Sequence, residues 1–458
     1  MKPTTLLASI ALLMIVSIAH AADAAPDANQ FWPQWRGPLA TGAAPLADPP
    51  ASWSETEHVK WKVQIPGSGD ATPIVWADRV FLLTAIPTGK KADAKASEAS
   101  KAPAAADAGP GEGRRQGGRM NSGAPNEVYQ FAVICLDRKT GKTLWQKASR
   151  EEVPHEGTQQ NNTFASASAV TDGHLVFAFF GSRGLHCYDF EGNLKWSKDF
   201  GRMQTKMGFG EGASPALYGD TLVINWDHEG EDFIAAFDKR TGNEIWRTQR
   251  SEGTGWSTPL VIEQGGKQQV VVNATGKVRS YDLATGKEIW SCAGQTVNAI
   301  PTPVAAGDTV YVTSGFRGSA LYAIALGRTG DLTGTDAIRW KHDKNTPYIP
   351  SPLLADNLLY VVANNDAKLS CFDATTGAAN FEAERLEGIF GIYASPVSAK
   401  DRVYVLGREG TCLVLKKGPK LEIIATNKLD DKTDASLALV GNEIFLRGRA
   451  NLYCIGSK

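Results

Sequence analysis

The 458-residue sequence lacks most of the short signatures from which a function is usually read. No two of its six cysteines are adjacent, and none forms a C-x-x-C or C-x-x-C-H group. A zinc ribbon and covalently attached haem are therefore not signalled. Its histidines never take an H-x-x-H or H-E-x-x-H spacing, and no G-x-S-x-G, Walker A or dinucleotide fingerprint appears, so no nucleophile stands beside a base. Charge of one sign is also missing. The formal net charge is −1, which gives no general attraction to nucleic acid or to an anionic membrane. Apart from one stretch, Leu6–Ala19, there is no long hydrophobic run.

That stretch follows Lys2 and ends in Ala-His-Ala at 19–21, the pattern of an export signal cleaved after Ala21. It is too short and too weakly flanked for a membrane anchor, and no lipid-accepting cysteine follows it. The mature chain is expected in the periplasm or outside the cell. It would be a monomer with no membrane anchor and no nucleic-acid partner.

What the sequence has in abundance is repetition. "CLDRKTGKTLWQ" from Cys135, "AFDKRTGNEIWR" from Ala236, "SYDLATGKEIWS" from Ser280 and "CFDATTGAANFE" from Cys371 are one phrase. Units open with a small residue and often a proline, as at Ala71, Ala213, Ser257, Pro301, Pro350 and Ala394, with divergent copies at Ser166 and Ala435. A polar turn, a β-rich run, a second turn and the phrase follow, giving four strands per unit at a period in the low-to-mid forties. That is the pattern of propeller blades.

Eight openings and eight final-strand slots occur: Trp61, Trp145, Trp196, Trp246, Trp290, Trp340, Phe381 and Ile424. The two counts are offset, so an N-terminal strand around Trp61 should complete the last blade. The expectation is an all-β, eight-bladed propeller over 58–458, with seven blades the nearest alternative. An extended leader spans 22–57. A segment at 87–126, rich in Ala, Gly and Pro, interrupts the first blade and cannot bury enough surface to order itself. In the phrase, Asp, Thr and Gly build a turn and the tryptophan docks a neighbouring blade. The cysteines mostly fill a small-residue strand slot beside the phrase, which favours free buried thiols over disulfides.

The phrase D-x-x-T-G-x-x-x-W, repeated around a ring with an N-terminal closing strand, resembles the PQQ-like or quinoprotein-type propeller repeat. Two groups share it: PQQ-dependent alcohol dehydrogenases and BamB-type scaffold proteins. "WPQWRGP" at Trp32–Pro38 is similar to the leader of exported proteins with such repeats. The dehydrogenase branch implies adjacent cysteines beside the quinone, a calcium held by acidic and amide side chains, and a catalytic aspartate. The sequence has no such cysteine pair.

Strand order places the loops before each opening on one face, with Asn161, Asn162, Glu211, Trp256, Asn298, Tyr348, Tyr393 and Asp434. Turns between second and third strands add Arg183, Lys277, Arg317, Arg408, Arg447 and Arg449, and the insertion adds Arg114, Arg115 and Arg119. Variable loops on a rigid scaffold are where sites occur. The expectation is a partly basic rim around a polar funnel. The acidic run "DHEGED" at 227–232 lacks the spacing of a calcium loop and reads as a charged exposed turn.

Function is then expected to be non-catalytic: a protein- or ligand-binding scaffold of the cell envelope. Two alternatives remain open. One is a PQQ- and calcium-dependent oxidoreductase, with Glu211 and Asn298 as metal ligands and Trp256 as the stacking floor. The other is carbohydrate or other small-ligand binding in the axial funnel.

Overall fold

Alternating short strands and tight turns close into a ring. The computed structural model describes residues 27–92 and 123–457. Within them lie eight sheets, each built on four antiparallel strands, in sequence order in all but the last. The first blade is Ile74–Trp76, Arg79–Lys91, Glu127–Asp137 and Thr143–Glu152. The last is Ala438–Val440, Glu443–Arg447, Asn451–Gly456 and, as its outer strand, Val59–Gln64. Trp61 faces Cys454 in that closing pair, so the N-terminal strand joins the ring as the offset counts require. Closure leaves no open end to the array of sheets.

The phrase acts between blades. Trp246 donates Nε1–H to the Leu283 carbonyl of the next blade at 2.7 Å, and Trp61, Trp145, Trp196 and Trp340 do the same to Arg138, Phe190, Lys239 and Ala374 at 2.7–3.0 Å. In each case the acceptor follows the phrase's aspartate. Trp290 departs from this pattern. Its Nε1–H goes to Gln269 of its own sheet at 3.0 Å, because the next blade carries an excursion in place of the phrase. There Gly330–Asp331 pairs in parallel with the strand of Trp290, and Leu332 and Ala337 cover the ring.

Each docking residue sits opposite the small-residue slot: Cys135 opposite Trp145, Cys187 opposite Trp196, Cys371 opposite Phe381. The seventh blade corrects the sequence reading by one residue. Val414 faces Ala425, while Ile424 occupies the bulge and is exposed. All six cysteines are unpaired and buried.

Two further corrections concern the chain's irregular parts. The insertion begins later than expected, since Pro87–Lys91 continue the second strand and Lys91 pairs with Glu127. Its centre, with Arg114, Arg115 and Arg119, lies outside the described residues, as does the export signal. The leader, expected as merely extended chain, is packed into the ring from Phe31 and Trp32 onward. Trp32 is fully buried and bridges Val75 of the first blade. Arg36 is buried and donates Nη2–H to the Pro352 and Pro396 carbonyls at 2.8 and 3.0 Å. Ala43–Ala44 then adds in parallel to Val397–Ala399 of the seventh blade.

The small-residue openings form a belt around the axis. The backbone N–H of Thr72 donates to Ser168 Oγ, Ser168 to Ser214, Ser214 to Thr258, Thr258 to Thr302, Thr302 to Ser351, Ser351 to Ser395, and Ser395 to Ser436, all at 2.9–3.2 Å. A hydroxyl at this slot satisfies a buried N–H of the neighbouring blade. Among the described residues the eighth link is not made, and Thr72 Oγ1 has no partner.

Candidate functional site

Above the belt, loops from all eight blades enclose a cavity of about 350 Å³ on the axis. Its walls carry the rings of Phe209, Trp256, Phe316, Tyr348 and Tyr393, and the leader contributes Trp35. Its polar groups are Asp70, Asp434, Gln159, Asn161, Asn162 and the hydroxyls of Ser166, Ser214, Thr258, Ser395 and Ser436. Mixed rings and convergent polar groups in a concavity of this size are the usual make-up of a ligand site.

The rings are fixed by local contacts. Trp256 donates Nε1–H to the Gly210 carbonyl at 2.7 Å. Tyr348 stacks on Phe316 with centroids 4.9 Å apart, and Arg408 lies over Tyr393 at 3.8 Å. Arg408 also donates to Asp434 at 2.6 and 3.1 Å and to Asn161 at 3.0 Å, while Arg449 reaches Asp434 at 2.8 Å. Asn162 donates to the Phe209 carbonyl at 2.9 Å and accepts from Ser166 at 2.6 Å. Asp70 is different. Burial, and then the charge of Asp434, push its carboxyl up to about 7, against the pull of Arg449, Arg447 and Arg408.

Of the expected site residues, the cavity therefore gathers Asn161, Asn162, Trp256, Tyr348, Tyr393 and Asp434, with Arg408 and Arg449 bound to its wall. The basic rim is not built as expected. Arg183 is buried and paired with Glu152 at 3.2 Å and Glu211 at 3.1 Å. Arg447 is buried in the seam between the last and first blades. Arg408 and Arg449 share one carboxylate. Arg317 is exposed beside Phe316, and Lys277 is half-buried at the start of its strand. Sequence reasoning missed Asp70, Trp35, Phe209 and Phe316, each of which occurs once and belongs to no repeated motif.

The residues expected to hold calcium are already engaged by groups of the protein itself. Glu211 accepts from Ser182 N–H and Oγ–H at 2.6 Å each and from Arg183 at 3.1 Å. His155, Glu156 and Glu211 do lie close enough to share an ion. Yet the set is already tied internally: Arg183 sits 3.2 Å from His155 Nδ1, His155 Nε2–H meets the Met203 carbonyl at 2.6 Å, and Thr205 N–H donates to Glu156 at 3.0 Å. Burial lowers the His155 pKa and raises that of Glu156, and a guanidinium among the ligands repels a cation. Asn298 is buried, its side chain hydrogen-bonded to Tyr348 of the funnel wall and its N–H on Thr275 Oγ1 at 3.2 Å. Of the guanidinium groups over cavity rings, Arg408 is committed to Asp434, Arg36 over Trp35 donates to backbone carbonyls, and Arg317 lies exposed over Phe316. No cysteine pair lies in the funnel wall.

The acidic run at 227–232 is corrected at its two ends. Asp227 pairs with Arg250 at 2.7 Å with both side chains fully buried, and Asp232 accepts the N–H groups of His228, Glu252 and Gly253 at 2.8–3.0 Å. The run is a turn whose centre, Glu229, Gly230 and Glu231, is exposed as expected, while its two ends brace the interior.

Comparison with known proteins agrees with this fold. The structure of BamB from Moraxella catarrhalis superposes with a TM-score of 0.53 at 14% identity, over 71% of this chain and 93% of that one. A europium-containing methanol dehydrogenase gives 0.62 at 10% identity, over 94% and 98%. A quinohemoprotein alcohol dehydrogenase from Pseudomonas putida gives 0.54 at 12% identity, over 94% and 81%. At these identities the likeness is one of fold. No curated protein matches the sequence. The family model described as outer membrane protein assembly factor BamB matches residues 130–383, more than half of the chain, and the protein belongs to that family.

Proposed function

We propose that the protein is an exported, non-catalytic binding propeller of the cell envelope that engages a protein partner through its loop-bearing face. One observation carries this reading. The loops that rise around the funnel expose Phe390 (82%), Met207 (61%) and Val297 (37%), while Glu211, Glu156 and His155 are tied into internal hydrogen bonds. Aromatic and methionine side chains on an otherwise polar rim are the usual anchors of protein interfaces. The opposite face repeats the Asp-Thr-Gly turn, whose donors and acceptors satisfy one another.

Site-specific photo-cross-linkers at Phe390 and, on the opposite face, at Lys139 test the assignment in the native envelope. A single stoichiometric adduct from position 390 alone is expected. Equal labelling from both faces counts against it. Titration with PQQ plus calcium should give no saturable, calcium-dependent heat; micromolar binding would restore the oxidoreductase reading.

A further inference from the structure

The funnel holds hydrogen-bonding groups that the protein leaves half used. Ser214, Thr258, Ser395 and Ser436 each accept a backbone N–H from the neighbouring blade, and each is more than nine-tenths buried. A hydroxyl that accepts still has its own proton to give. Among the described residues, none of the four gives it to a protein acceptor.

Asp70 is the complement. This half-buried carboxyl lines the same cavity and accepts no hydrogen bond among the described residues. Arg447, whose charge acts on Asp70, is buried with Nε, Nη1 and Nη2 all without a partner. The hydroxyl belt is open at this same seam, leaving Thr72 Oγ1 unpartnered as well. Of these groups, the Asp70 carboxylate and the four hydroxyls face the cavity itself, and they are the ones a guest can satisfy.

The chemistry of the walls selects the guest. A hydrocarbon would leave the four hydroxyls and Asp70 dry. The cavity lining offers no lysine or arginine to an organic anion. With Asp434 already shared by Arg408 and Arg449, an organic cation would find only Asp70, itself within reach of the charges of Arg449, Arg447 and Arg408. A polyhydroxylated ring needs neither partner charge. Its hydroxyls donate and accept on one rigid frame, and its C–H faces are flat and apolar enough to lie on Trp35, Trp256, Tyr348 or Tyr393.

We propose that the axial funnel binds an uncharged saccharide of one or two rings, with ring hydroxyls donating to Asp70 and accepting from the serine and threonine belt. The cavity of about 350 Å³ is at the small end of the range for ligand sites, as a guest of that size requires. Trp35 of the leader forms part of the binding wall, so the leader is a component of the site. This inference goes beyond partner engagement by the rim and stands or falls separately from it.

The test is an array of neutral and acidic mono- to tetrasaccharides probed with the full mature chain. The tightest neutral glycan is then titrated by intrinsic tryptophan fluorescence. Saturable binding with a change in tryptophan emission is expected. Asp70→Asn should weaken it about tenfold or more, with Arg240→Ala on the opposite face unchanged. A thermal melt of Asp70→Asn confirms that the variant is folded. Retention of acidic glycans only, retention of none, or indifference to Asp70→Asn would overturn the proposal, and none of these outcomes touches the rim reading.

Discussion

Gly286 lies under the indole of Trp246 from the preceding blade: a Cβ built on this glycine would stand 2.4 Å from Trp246 Cε3. The same contact recurs between Gly141 and Trp61, Gly242 and Trp196, and Gly377 and Trp340. The glycine of the repeated phrase thus has two reasons to be glycine. Its φ of +69° is in the left-handed region, and the space over its Cα is filled by the ring that docks the blade before it.

Gly286→Ala should therefore be costlier than the same change in a turn with open space above it. Gly307, with φ +58° and nothing within 4 Å of a Cβ, supplies the comparison. Gly307→Ala should cost about 1 kcal/mol for backbone strain, and Gly286→Ala about 2 kcal/mol beyond that. Urea unfolding curves of the two variants check the difference; equal costs would mean that the indole moves aside freely.

Trp290 offers a second contrast. Trp290→Ala empties a fully buried site and should cost about 3–5 kcal/mol. Trp290→Phe should cost about 1 kcal/mol, since Ser280 Oγ–H still donates to Gln269 Oε1 at 2.6 Å when the indole N–H is gone. Denaturant titration of both variants reads this directly.

The fold was legible because its determinants are repeated. Each join needs the same aspartate turn, glycine and tryptophan, so the signal accumulates around the ring, and even the closing strand is visible as an offset between two counts. What the sequence hides is what happens once. The belt hydroxyls appear only as small residues, most of them before proline, because the N–H that each one satisfies belongs to another blade. Asp70 immediately precedes an ordinary opening, and nothing local marks it as a carboxyl inside a cavity. Arg183 and Arg447 sit in turns or at strand ends, where neither spacing nor composition tells rim from seam. Trp35 lies in a leader whose path through the ring depends on carbonyls of distant blades.

The thiols should be silent in the folded protein. Desolvation pushes Cys135 and Cys187 up to about 12 and Cys292 and Cys371 up to about 11, and raises Cys412 and Cys454 further. A thiol buried and held far from its thiolate does not attack disulfides at neutral pH. Ellman's reagent should find almost no reactive thiol under native conditions and all six after denaturation without reductant. Fewer than six would reveal a disulfide that the buried, separate slots do not provide for.

Asp70 makes stability depend on pH in a direction opposite to that of a salt-bridged carboxylate. Its carboxyl titrates near 7 in the folded protein and near the ordinary value of 3.8 in the unfolded chain. Below about pH 4 both states hold the proton, and Asp70 imposes no penalty. As pH rises from 4 to 7 the unfolded chain sheds a proton that the folded state retains, so stability falls through that window and levels off above it. Asp70→Asn removes the titration, while the other groups that change in this range, His155 and His186 among them, are common to both proteins. The variant should match the parent at pH 4 and exceed it at pH 8 by about 1–4 kcal/mol. Urea midpoints at pH 4, 5.5 and 8 measure the difference. A parent more stable than the variant at pH 8 would mean that the charge of Arg447 holds Asp70 ionised, and the carboxyl would then be a partner of that guanidinium rather than an acceptor free for a guest.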